Sequence, residues 1–209
     1  AMAGRHGVKY ETLAADLSAE AGIAAVEARL SHGGVDVLVN NAGFGISRKF
    51  ATADLAGQQA MVSVHMLAPM RLMRAALPAM IERRHGGVIN VASLAAFMSL
   101  PGNANYCATK AYLMRFSRAV HGEVRRKGVT VQALCPGFVV TEFHDAGQNT
   151  RMTQRGPAFL WLPASYVVDQ SLKGFDRRKP LVVPGLGYKL LYWLAKLGLP
   201  DALAPLVMR

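Results

Sequence analysis

Apolar residues follow two rhythms along this chain: short continuous runs, and longer stretches in which they recur every three or four positions. The first marks a strand bounded by turns, the second an amphipathic helix. Val8 to Ala14 thus predicts a short strand ending at Asp16, followed by a helix over Ala19 to Leu30 with Ser18 as N-cap. Val35 to Val39 (VDVLV) is nearly all apolar and predicts a strand covered on both faces. Asp54 predicts the cap of a long helix through Gln58, Met61, Leu72 and Leu77 to about Arg84. Beyond it the pattern predicts a strand over Val88 to Ala92, a helix over Tyr106 to Arg126 and a strand over Val129 to Leu134. A loop-rich stretch runs from Pro136-Gly137 to about Pro163. It leads to a helix near Ser165 to Phe175, a strand over Leu181 to Val183 and a last apolar helix from about Tyr188. Strands joined by helix-length connections call for an α/β fold, a parallel sheet with helices on both faces. No repeat and no dividing linker interrupts residues 1–209, so one domain is expected, with 186–209 as its apolar C-terminal helix region.

Composition supports a folded chain: 52% of the 209 residues are hydrophobic and 18% charged, which excludes disordered and fibrous classes. The formal charge of +11 comes from 24 Lys+Arg against 13 Asp+Glu and raises the question of an anionic partner. The positives, however, lie in small groups (Arg71 and Arg74, Arg83 and Arg84, Arg125 to Lys127, Arg177 to Lys179). These read first as solvated helix faces and helix C-termini. No aromatic-basic stripe accompanies them, so no nucleic-acid partner is expected. Only Cys107 and Cys135 occur, which predicts no disulfide framework and a reducing, cytoplasmic setting. The six His show no metal-ligand spacing, and no metal is expected.

In a sheet of this kind ligands sit beyond the carboxyl ends of the strands, so residues just after each strand carry the information. Asn40-Asn41-Ala42-Gly43 follows one strand, Ser93 another, and Pro136-Gly137 with Thr141 a third. The helix after Ser93 carries Tyr106 and Lys110, four apart and therefore on one face. An adjacent ammonium favours phenolate, so Lys110 is expected to lower the pKa of Tyr106 toward neutrality. Tyr106 would then exchange a proton with a substrate oxygen that Ser93 holds by a hydrogen bond. Taken alone, such a pair also fits an ordinary helix with a half-buried Tyr.

With these motifs in this order, the chain resembles the short-chain dehydrogenase/reductase family: nicotinamide-dependent oxidoreductases on a Rossmann-type, doubly wound parallel sheet. The resemblance implies that Tyr106 is the acid/base, that Lys110 tunes it and binds the nicotinamide ribose, and that Ser93 positions the substrate oxygen. It further implies that Asp16 and Leu17 contact adenine, that Asn40, Ala42 and Gly43 line the cofactor, and that Pro136, Gly137, Val139 and Thr141 face the nicotinamide. The expected cofactor is NADP or NAD, with NADPH favoured on reductive grounds. In the family the two long helices often pair with their copies, which makes a homodimer the expected assembly, its interface or core filled by Met61, Met66, Met70, Met73 and Met80.

Two departures qualify the resemblance. The family's phosphate loop, Thr-Gly-x-x-x-Gly-x-Gly, follows its first strand, and residues 1–209 do not contain it. By the family order 3-2-1-4-5-6-7, its first two strands belong between Val8 to Ala14 and Val35 to Val39, a gap of about 14 Å. Either those residues exist in the native protein, which is the expectation, or the first strand re-pairs directly with the second. Residues 1–209 alone are expected to bind cofactor weakly or not at all. The second departure is His65, which stands where the family usually has an Asn whose backbone carbonyl helps hold a water beyond the lysine. Pro69, four residues on, lacks the N–H that would bond the His65 carbonyl, so that carbonyl is expected to be free for the water. The His65 ring either packs or joins the proton relay.

Phe143, Phe159, Leu160, Trp161 and Leu162 lie in the region that family members use as a lid, and they predict a hydrophobic substrate, a lipophilic ketone or 3-oxoacyl group. Gly187 to Leu199 is apolar but too short to span a bilayer; lid, dimer contact and peripheral membrane contact are its candidate roles. The alternative from another class is a cofactor-free scaffold or interaction protein that keeps the fold.

Overall fold

In the computed structural model, which describes residues 7–140 and 160–196, four strands pair in parallel. They are β1 (Val37–Asn40), β2 (Gly87–Val91), β3 (Thr130–Leu134) and β6 (Leu181–Val182), side by side in the order β1-β2-β3-β6. The register sets Asn40 opposite Asn90, Val91 opposite Leu134, and Leu134 opposite Val182, so the carboxyl ends open on one side. A separate short pair joins β4 (Val139–Val140) to β5 (Leu162–Pro163), within the stretch that sequence alone reads as loop.

The helices are α1 (Glu20–Ser31), α2 (Leu55–Val62), α3 (Ala68–Arg83), α4 (Ala104–Val124), α5 (Ala164–Asp176) and α6 (Leu186–Lys196). Alternation along the strands feeds two cores. Val88 and Val131 point to α3 and α4, where Met73, Ala76, Met80 and Val124 meet them. Ile89 and Leu134 point the other way, to Val167 and Phe175 of α5. The parallel sheet is thus covered on both faces at β2 and β3, as an α/β, Rossmann-type fold requires. Among the described residues the expected double cover of β1 is missing: Val37 is 43% and Val39 52% exposed, and of the strand's apolar side chains only Leu38 joins the core.

The strand expected over Val8 to Ala14 does not form. Val8, Tyr10 and Leu13 are exposed, and the segment has not re-paired with β1; its tie is an exposed ion pair from Glu11 to Arg29 of α1. A strand needs a partner edge, and an apolar run without one stays coil. Ser18 does not cap α1 either. The N-cap is Ala19, with no side-chain bond, while Asp16 Oδ1 accepts from the Ser18 N–H (2.9 Å) and hydroxyl (2.7 Å). This turn brings the Asp16 backbone so close to α1 that a Cβ on Gly22 would fall 2.0 Å from the Asp16 carbonyl oxygen.

Asp54 caps α2 as expected, accepting from the N–H groups of Ala56 and Gly57. The long helix it opens is interrupted by a π turn over Ser63–Leu67, closed by the Ala68 N–H on the Ser63 carbonyl. Pro69 follows at once, and the widened turn accommodates its missing N–H and its ring. Arg71 is not merely solvated: its guanidinium clasps Glu20 and Glu27 and fastens α1 to α3.

Candidate active site

The carboxyl ends of β1, β2 and β3 converge on the N-terminal half of α4. A buried amide chain aligns the first two: Asn40 Nδ2 donates to Asn90 Oδ1 (2.7 Å), and Asn90 Nδ2 donates to Ser117 Oγ of α4 (2.8 Å). Asn90 is fully buried in an otherwise apolar strand, so each of these bonds removes a costly unpaired group. Sequence reasoning passed over Asn90; a single amide within VINVA was the available signal.

From Asn40 the loop turns through Gly43 against His65 and Lys110. An added Cβ at Gly43 would lie 2.9 Å from His65 Nε2 and 3.4 Å from Lys110 Nζ, so only glycine allows this approach. Lys110, 4% exposed, donates from Nζ to the Val91 carbonyl (2.9 Å), its one acceptor among the described residues. Burial holds its pKa down to about 8. Nζ lies 5.8 Å from the centre of the Tyr106 ring. Ser93, two residues beyond β2, accepts the Ala95 N–H at 3.1 Å, and its hydroxyl lies near enough to the Tyr106 phenol to favour the phenolate. Ser93, Tyr106 and Lys110 therefore share one crevice.

The expected lowering of the phenol's pKa is not what this arrangement produces. Burial raises the Tyr106 pKa above its ordinary value, and the neighbouring Ser93 hydroxyl opposes that rise only in part. The spacing of four brings Lys110 near, but its ammonium is turned to the Val91 carbonyl and is itself disfavoured by burial.

His65 is 1% exposed. Its Nε2 meets the Phe44 N–H at 3.2 Å and its Nδ1 the Thr109 hydroxyl at 3.0 Å, and neither nitrogen bonds Lys110 or Tyr106. The ring stands edge-on to Tyr106, 5.8 Å between centres. Burial, and then repulsion from Lys110, push its pKa down to about 3.

The other predicted residues are placed unevenly. Leu17 is tied in, its carbonyl accepting from Ser63 Oγ (3.1 Å) at the start of the π turn; Asp16 is exposed, with its carboxylate engaged by Ser18. Pro136 fixes the Ser93 loop by accepting the Leu94 N–H at 2.8 Å. Gly137 lies under the ring of Tyr188, where a Cβ would sit 2.1 Å from Cζ. Tyr188 Oη accepts the Phe138 N–H (3.0 Å) and donates to the Leu160 carbonyl (2.5 Å), clasping the two sides of the β4–β5 region. Sequence reasoning placed Tyr188 only as a helix start. Val139 pairs with Leu162, and Trp161 packs on Phe138 with ring centres 5.2 Å apart. Thr141, Phe143 and Phe159 lie outside the described residues.

The donor set suits the nicotinamide-ribose half of a dinucleotide. Lys110 keeps two of its three N–H donors beyond the bond to Val91, enough to bond the hydroxyl groups of a ribose. No glycine-rich phosphate loop lies among the described residues, so the pyrophosphate half has no counterpart there.

Comparison with known proteins agrees with this geometry. The family model described as short chain dehydrogenase matches residues 1–151. The ketoacyl reductase HetN of a Nostoc species is 41% identical over 107 residues, 51% of this chain and 37% of that protein. Nodulation protein G of a Rhizobium species is 34% identical over 161 residues, covering 69% of this chain and 66% of that one. The chain thus spans between about a third and two thirds of these relatives. Among solved structures, a short-chain dehydrogenase from Sphingobium yanoikuyae in complex with NADPH superposes with a TM-score of 0.81 at 30% identity, over 95% of this chain and 78% of that one.

Proposed function

The chain belongs to the short-chain dehydrogenase/reductase family, and on that premise we propose that it serves an oxidoreductase interconverting a carbonyl and an alcohol on a hydrophobic substrate, as a ketone or 3-oxoacyl reductase. The observation that carries this reading is the convergence of Ser93, Tyr106 and Lys110 on one crevice at the strand ends. When bound, the nicotinamide supplies the hydride. Tyr106 delivers the proton to the substrate oxygen, and Ser93 holds that oxygen by a hydrogen bond. Lys110 binds the ribose hydroxyls with the donors that Val91 leaves over. The raised pKa of the phenol keeps it protonated at neutral pH, which is the form that reduction uses.

NADPH is the favoured cofactor, supported by the NADPH bound to the Sphingobium relative. Phe138, Trp161 and Leu162 beside the strand ends support a lipophilic substrate, and the similarity to the ketoacyl reductase HetN supports an oxoacyl one. A homodimer in the cytoplasm completes the reading, the latter supported by two buried free cysteines. Among the described residues no helix is long and apolar enough to cross a membrane. Exposed Leu186, Leu190 and Trp193 on one side of α6 are where any peripheral membrane contact would rest.

The test is NADPH and NADH oxidation by the full-length protein with lipophilic ketones and a 3-oxoacyl thioester, for wild type and Tyr106→Phe. The variant is expected to lose about 10²- to 10⁴-fold in turnover with its melting temperature unchanged. Equal rates in the two proteins, or no turnover by wild type with either cofactor, would overturn the reading.

A further inference from the structure

We propose that His65 is a positioning residue that, as its Nδ1–H tautomer, ties the loop after β1 to the helix carrying Tyr106 and Lys110. The roles of its two nitrogens follow from its partners. The Phe44 N–H can only donate, so Nε2 accepts there. The proton of the neutral ring then sits on Nδ1 and goes to Thr109 Oγ1, whose own proton goes to the Tyr106 carbonyl (3.0 Å). One chain of bonds therefore runs from the loop, through the imidazole and a threonine, to the backbone of the tyrosine itself.

Both ring nitrogens are used in this tie, which leaves none for a water or for Lys110, so the ring does not join the proton relay. The ring fills the remaining space by contact, tilted on Phe44 (5.9 Å) and edge-on to Tyr106 (5.8 Å). The absence of a Cβ at Gly43 lets the loop close down on Nε2. Protonation would turn Nε2 into a donor facing the Phe44 N–H, and burial with the nearby Lys110 ammonium opposes it as well. The consequence for function is that the loop expected to line the cofactor and the tyrosine that faces the substrate move as one unit. That consequence rests on the proposed reductase activity; the tie itself does not.

Gln at this position extends its amide to the place of Nε2, and Asn reaches the place of Nδ1. His65→Gln therefore keeps an acceptor for Phe44, and His65→Asn keeps a donor for Thr109. Nitrogen-15 NMR of the full chain is expected to show a protonated Nδ1 and a bare Nε2 at neutral pH. Amide exchange at Phe44 is expected to speed up at least about fivefold in His65→Asn and to stay near wild type in His65→Gln. In turnover, His65→Asn is expected to raise the KM for cofactor more than it lowers kcat. A protonated Nε2 in the wild type, or equal Phe44 exchange in the two variants, would overturn the proposal, and neither measurement depends on activity. Absence of turnover with the tautomer as stated would instead count against the reductase reading.

Discussion

β1 (VLVN) and β3 (TVQAL) are both short, mostly apolar strands, yet they end in different surroundings. All five residues of β3 are buried, whereas Val37 and Val39 of β1 are about half exposed. β3 has neighbours on both edges and helices on both faces; among the described residues, β1 is bonded on one edge and covered on one face. An apolar run states that a strand can be covered, and only its neighbours decide whether it is. The candidate site straddles this contrast. Ser93, Tyr106 and Lys110 belong to the buried side, while the Asn40 to Phe44 loop leaves the half-covered strand and is fastened to the buried side through Asn90 and His65.

The largest test of that fastening is pH. The ordinary histidine pKa is 6.5, and that of His65 in the folded chain is about 3. Between those values the unfolded chain binds the proton and the folded chain does not, so stability is present above pH 6.5 and lost as pH falls toward 3. The full linkage amounts to up to about 5 kcal/mol. In urea unfolding across this range, His65→Gln is expected to flatten the wild-type slope. An unchanged slope would mean that His65 titrates freely and does not join the two regions.

The contrast between the strands themselves is sharpened by paired truncations. Val131 is fully buried between α3 and α4, so Val131→Ala is expected to cost about 2 kcal/mol in thermal or urea unfolding. In a polypeptide of residues 1–209, Val39→Ala, at 52% exposure, is expected to stay within about 0.5 kcal/mol. A comparable loss at Val39 would show that something covers β1 in solution and would remove the distinction between the two strands.

The same contrast explains what was legible in the sequence. β2, β3 and the helices that cover them came through because a doubly covered strand and a long amphipathic helix are local patterns. The strand-end motifs were legible with them, since Asn40 to Gly43 and Ser93 lie at or just beyond strand ends and Tyr106 and Lys110 lie one turn apart on α4. What the sequence withheld was long-range. Asn90 holding Asn40, Thr109 holding His65, and Tyr188 clasping Phe138 to Leu160 join residues between 28 and 50 positions apart. The sign of the Tyr106 shift was missed for a related reason: spacing reports that Lys110 is close, but not that both groups are buried and that the ammonium is bonded elsewhere. At Val8 to Ala14 and at Ser18 the local signal was present, and a missing partner edge and a preceding Asp16 turn overrode it.

The smallest expected effect lies farthest from the buried side. Residues 7–16 are tied down by the ion pair from Glu11 to Arg29, 3.2 Å long and exposed at both ends. Water screens such a pair, and holding two long side chains in place offsets most of the attraction, so its worth is at most about 1 kcal/mol. Glu11→Gln is therefore expected to leave the melting temperature unchanged while making the segment more readily cut by protease, because the tie restrains a coil that the sheet does not hold. The two-carboxylate counterpart of this tie, the partly exposed Arg71 clasp on Glu20 and Glu27, joins two packed helices, and Arg71→Ala should lower the melting temperature measurably. If Glu11→Gln destabilised the chain as much as Arg71→Ala, residues 7–16 would belong to the cooperative fold, and the half-covered side of the sheet would be as integral to it as the strands around Tyr106.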